Sequence, residues 1–122
     1  MTAMTKKSFD SRDETRAPDK TRLEVVGLGA TKAARMTLQP GWRWSSCIKP
    51  VVGTETCQAR HLGVVVSGRL HVTHADRSEM DIDAGDAYLI EPGHDAWVVG
   101  GEPFVGYEFE STTAQTYAAP GS

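Results

Sequence analysis

Cys57 and His61 stand four positions apart, just ahead of the apolar run LGVVV at 62–66. A thiolate and an imidazole suit borderline divalent metals such as zinc or iron, whereas magnesium and calcium prefer oxygen ligands. The same pair could form a nucleophile, with the histidine lowering the thiol pKa. Both could also be core residues, the thiol packing as a small hydrophobe and the imidazole holding a hydrogen bond. Two ligands are too few for a tight metal site. A nucleophile needs an orienting group and an oxyanion donor, and no neighbouring motif supplies either. The elements that carry the pair must therefore decide.

Four is an even number, so both side chains face the same way on an extended strand. Four is also a helical spacing. The β-branched Val64, Val65 and Val66 and the flanking glycines favour the strand. If that strand were regular back towards Gly53, Glu55 and Ala59 would share its face. Elsewhere the chain reads as short strands punctuated by Gly, Pro and Asp: LEVVGL at 23–28, KAARMTLQ at 32–39, WRWSSCI at 42–48, HLGVVVS at 61–67, RLHVTH at 69–74, EMDID at 79–83, DAYLI at 86–90, AWVV at 96–99 and FVGYEFE at 104–110. No amphipathic run is long enough for a substantial helix. Nine short strands at regular spacing predict an all-β sandwich or closed barrel.

The chain has 122 residues, which suits one domain. Its charged content is 24%, its net charge −3 and its pI about 5.8, which argues against a nucleic-acid surface. No apolar stretch reaches the roughly 20 residues of a membrane span. The N-terminal stretch has no apolar segment behind its lysines, so a cytoplasmic protein with reduced thiols is expected. A Cys47–Cys57 disulfide is formally possible across the turn at Gly53. Residues 1–22 read as a disordered tail, 23–110 as the folded domain and 111–122 as a flexible end.

The segments PVVGTETCQARHLGVVVSGRLHV and MDIDAGDAYLIEPGHDAWVVGGEP together resemble the two motif regions of a small single-domain cupin. The resemblance runs from about 38 to 109, and AGDAYLIEPGH is its most specific piece. It implies a double-stranded β-helix, a jelly-roll barrel, and a homodimer built through edge strands. It also implies a metal inside the barrel and a small organic molecule as ligand or substrate. The motifs depart from the usual pattern. With Gly68 as the closing glycine of the first motif, His61 stands where the family has its metal-binding Glu. Cys57 stands at its second His, and Glu55 at its first. In the second motif the His position is Ala96, and the nearest histidine is His94, two residues earlier and of the same strand parity. The implied site is thus Cys57, His61 and His94 holding zinc or iron, with Glu55 nearby. A non-catalytic ligand-binding module without metal is the alternative.

Trp42 and Trp44 would share one strand face, either packing the core or walling a pocket. Trp97, Tyr107 and Phe109 could line the same mouth. His71 and His74 are expected to lie exposed on a hairpin, since Leu70 and Val72 point inward. Glu91 and Asp95 are expected to be solvated turn residues.

Overall fold

The computed structural model describes residues 3–110. Nine strands form two sheets. β1 (Glu14–Arg16), β2 (Thr21–Leu28), β3 (Thr31–Leu38), β9 (Phe104–Phe109), β4 (His61–Ser67) and β7 (Ala87–Ile90) make a six-stranded antiparallel sheet in the spatial order β1-β2-β3-β9-β4-β7. β6 (Glu79–Asp83), β5 (Arg69–His74) and β8 (His94–Val98) make a three-stranded sheet in the order β6-β5-β8. The inner faces meet over a core that includes Leu23, Met36, Leu38, Val65, Leu70, Val72, Ile82, Ala96 and Phe104. The strand alternation that predicted an all-β barrel is present. On the stretch from Cys57 to Val65 every odd-numbered residue is buried and every even-numbered one exposed.

β6 and β7 are edges of different sheets, and no ladder joins them among the described residues. The seam between them is a groove of about 290 Å³ lined by Val72, Met80, Leu89 and Ile90, with Asp76, Glu79 and Glu91 among its polar residues. On the outer face of the six-stranded sheet Leu62, Val64, Val66 and Leu89 are exposed.

Three expectations are corrected. The segment WRWSSCI is not a strand: α1 (Trp44–Cys47) and α2 (Lys49–Val52) are single helical turns. Pro50 sits in the first turn of α2, where its missing N–H costs nothing, and Gly53 closes the turn in the left-handed region. The start of α1 is held from a distance, because Asp95 accepts the Ser45 N–H at 3.2 Å and pairs with Arg43. Asp95 is thus a helix-capping carboxylate rather than a solvated turn residue.

The third correction concerns the N-terminal segment read as disordered. Residues Phe9–Ser11 form a 3₁₀ turn and β1 pairs with β2 from Glu14↔Val25 to Arg16↔Leu23. The segment straps the outer face of the sheet. Phe9 packs on Tyr107 and under Arg35, Asp13 accepts the Gly27 N–H at 2.6 Å, and Arg12 pairs with the buried Glu24. The strap explains why four consecutive residues of β2, from Leu23 to Val26, are all buried. The flexible end expected at 111–122 lies outside the described residues.

Candidate metal centre

His61 is the first residue of β4 and His94 the first of β8. Cys57 precedes β4 and forms an isolated bridge with His94: its N–H donates to the His94 carbonyl at 2.8 Å, and the Gly93 N–H donates back to the Cys57 carbonyl at 2.8 Å. Two sequence-distant segments are thereby locked side by side. One potential ligand atom from each of Cys57, His61 and His94 lies within 4.8 Å of the others, and all three residues are buried. Cys57 Sγ stands 3.7 Å from His61 Nε2, and the two imidazoles meet edge to face with centroids 5.0 Å apart.

Each imidazole is oriented through its other nitrogen. Both carboxylate oxygens of Glu108 lie 3.0 Å from His61 Nδ1, and the Glu91 carbonyl lies 2.9 Å from His94 Nδ1. A carboxylate and a carbonyl only accept here, so both Nδ1 atoms carry a proton, and Nε2 is the nitrogen each ring has left for Cys57 or a metal. Glu108 also accepts the Tyr88 hydroxyl at 2.8 Å. That hydroxyl passes close over two glycines of the sheet. A Cβ at Gly63 would overlap the Tyr107 carbonyl oxygen and stand 2.9 Å from that hydroxyl, which leaves no room for a side chain, and one at Gly106 would stand 3.0 Å from the hydroxyl and force it to shift.

Electrostatics follow from the same contacts. Burial alone would push the Cys57 thiol up, but hydrogen bonds from His61 and His94 outweigh it and bring the thiol to about 7. Burial likewise works against a charged His61, but the Glu108 carboxylate and the Cys57 contact raise it to about 10. Burial and the Glu108 charge push the Tyr88 phenol well up, so it stays a donor.

Beside the imidazoles lies a cavity with about 10 Å³ open to the centre of a water, enough for about one water or a molecule of similar size. Trp42, Trp44, Leu38, Leu70, Ile90 and Ala96 are among its walls, and His61, His94 and Glu108 form its polar part. Ala96, where the cupin pattern would place a histidine, faces inward, and His94 reaches the same interior from two residues earlier.

Other expected site residues lie elsewhere. Glu55 is exposed and pairs with Lys49 at 3.0 Å, because the alternating register ends at Cys57. Trp97 faces outward, stacked between Arg43 and His71. Tyr107 also faces away from the interior and packs on Phe9, and Phe109 is exposed. His71 and His74 are half-buried rather than open: His71 is clamped by Asp81 and Glu79, and His74 contacts the Pro92 carbonyl. No disulfide forms, since Cys47 and Cys57 are both free.

Sequence reasoning missed Glu108 and Tyr88. It places Tyr107 and Phe109 at the barrel mouth, whereas Phe104, Gly106 and Glu108 are the buried set of the last strand. Local pattern gives no signal for Glu108: Phe104 and Phe109 have opposite parity, and the outward set Val105, Tyr107 and Phe109 is the more apolar one.

No protein-family model and no curated protein matches the sequence. Solved structures do resemble it. A protein of unknown function from Rhizobium leguminosarum bv. viciae aligns with TM-score 0.63 at 19% identity, over 88% of this chain and 96% of that one. A cupin 2 conserved barrel domain protein from Salinispora arenicola aligns with TM-score 0.60 at 16% identity, over 88% of each chain. Oxalate decarboxylase from Lactobacillus farciminis, in a formate complex, aligns with TM-score 0.57 at 17% identity over 79% of this chain, which spans only 30% of that enzyme. The fold is therefore the double-stranded β-helix of the cupins, an all-β jelly-roll barrel. No helix among the described residues is long and apolar enough to cross a membrane.

Proposed function

We propose that this chain is a metal-binding cupin in which Cys57, His61 and His94 hold one divalent ion and a small organic molecule binds or reacts in the barrel beside it. One observation carries the reading. Both histidines have Nδ1–H fixed by an acceptor, Glu108 or the Glu91 carbonyl, so Nε2 is the nitrogen left for a metal, which would displace the proton that His61 otherwise holds there. Metal-binding histidines are oriented in this way. One thiolate and two imidazoles favour zinc or iron over magnesium or calcium. Such an ion would polarise a carbonyl or lower the pKa of a bound water. The chain's own residues do the rest. Glu108 holds the His61 proton on Nδ1, Tyr88 holds Glu108, and the apolar walls limit water. Two free thiols suit a reducing, cytoplasmic setting. The exposed apolar row Leu62, Val64, Val66 and Leu89 suits a homodimer.

The test is elemental analysis of untagged protein beside Cys57→Ser, His61→Ala and His94→Ala. Near-stoichiometric zinc or iron in the wild type, lost in each variant with the fold retained, is the expected result. No metal after reconstitution would leave a ligand-binding barrel without metal.

A second reading has its own observation. Cys57, His61 and Glu108 stand in the order of nucleophile, base and orienting carboxylate. It predicts covalent labelling of Cys57 by an electrophile in a metal-free protein. Against it, Cys57 is fully buried and is not among the cavity's walls.

A further inference from the structure

Two tryptophans wall the cavity, and their indole N–H groups have different fates. Trp42 Nε1 donates to the Thr21 hydroxyl at 2.9 Å. Trp44 Nε1 is buried and has no partner; among the described residues only one other buried side-chain nitrogen or oxygen shares that condition, Arg16 Nε on the far strap. A buried donor without an acceptor is costly and rare in a native interior, and calls for an explanation. Trp44 is 1% exposed, so bulk water does not satisfy it. Its position is also held deliberately. It opens α1, whose first turn is fixed by Asp95 from β8, the strand that begins with His94.

We propose that Trp44 Nε1–H is a ligand-binding donor, and that the molecule taken by this cavity is a small oxygen-bearing one whose acceptor oxygen lies on Trp44 with its remainder towards His61 and His94. This rests on the cavity described above and deepens the proposed function by naming the ligand class: a carboxylate, a carbonyl or an amide oxygen, and not a purely apolar molecule. Apart from the two imidazoles the other walls offer no second open donor: the Trp42 indole N–H is bonded to Thr21 and the Tyr88 hydroxyl to Glu108, itself an acceptor, and the rest are apolar. The volume, enough for about one water, restricts the ligand to the smallest molecules of this class, and anything larger than that needs the walls to move.

The test is a titration of ¹⁵N-labelled full-length protein with sodium formate and, separately, formamide, the smallest anionic and neutral oxygen acceptors of this kind. The chain has three tryptophans, so three indole signals are expected, assignable with Trp→Phe variants. The expected result is a saturable shift of the Trp44 signal with at least one probe, with Trp42 and Trp97 unmoved. In Trp44→Phe the same probe should bind at least tenfold more weakly, read from the methyl signals of Leu38 and Leu70 in the same cavity. Without ligand, Trp44→Phe should lower the denaturation midpoint less than Trp42→Phe, because only the latter breaks a hydrogen bond. A Trp44 signal unmoved by both probes, or unchanged affinity in Trp44→Phe, would overturn the inference. The wild-type titration decides alone if that variant does not fold. Elemental analysis of the same samples separates the two readings. Metal absent with the Trp44 shift retained defeats only the metal, and metal present with no shift defeats only this inference.

Discussion

Glu108 and His61 are joined by both carboxylate oxygens, each 3.0 Å from Nδ1, across the ladder between β9 and β4. The carboxylate sets the tautomer of a residue 47 positions away and balances its charge when it is protonated. Replacing Glu108 with Gln keeps the shape and removes the charge. Glu108→Gln is expected to weaken metal retention by about 10–100-fold. Competition against a calibrated chelator measures it, and an unchanged affinity would remove Glu108 from the site.

Gly63 leaves the space through which Tyr88 reaches Glu108. A Cβ there would overlap the Tyr107 carbonyl oxygen and crowd the Tyr88 hydroxyl. Gly63→Ala should therefore destabilise the fold by about 1–3 kcal/mol through overpacking. Chemical denaturation reads this directly. A neutral result would show that β4 and β9 can separate without loss.

Asp95 caps α1 from outside the helix. Asp95→Ala should cost about 0.5–2 kcal/mol, and Asp95→Asn should recover much of it because the amide oxygen still accepts. The Trp44 indole signal should broaden or move in the alanine variant and return in Asp95→Asn. Equal behaviour of the two variants would argue that the cap is unimportant.

Glu24 supplies the pH dependence. Burial alone would raise its carboxyl, but Arg35 and Arg22 hold it below its ordinary value of 4.5. A folded pKa below the unfolded one gives stability that is fully present above the unfolded value and lost as pH falls through the folded value. Wild type should thus lose its advantage over Glu24→Gln as pH drops below about 4.5. Thermal melts of both proteins between pH 7 and 3 check the sign. A gap that widens on acidification would refute it.

The barrel was legible because strands half-buried against a core write their period of two into the sequence, as 57–65 does without a break. Cys57, His61 and His94 could be named because their residue types are scarce and their parity matched. Partners across the sheets were not legible. Glu108 meets His61 only through strand pairing, and Asp95 caps a helix 50 positions away. Local pattern carries neither relation. The helical turns at Trp44–Cys47 and Lys49–Val52 were lost for the same reason, although Pro50 was a local warning. The strap at Phe9 was hidden by its charges, of which Arg12 reaches the buried Glu24 of β2 and Asp10, though exposed, lies near Arg35 of β3.

Ile90 belongs to two surfaces at once, walling the inner cavity and lining the groove between β6 and β7. Across that seam no ladder need break, so passage through it is opposed by side-chain packing alone. Side-chain rotation and edge-strand motion run from picoseconds to microseconds, whereas parting paired strands requires local unfolding and is far slower. The barrel is therefore expected to open more readily along this seam than through its paired strands. Exchange of a small molecule with the interior should be set by the bulk at residue 90 and should be largely indifferent to global stability, so that the chain can be made more rigid elsewhere without being closed.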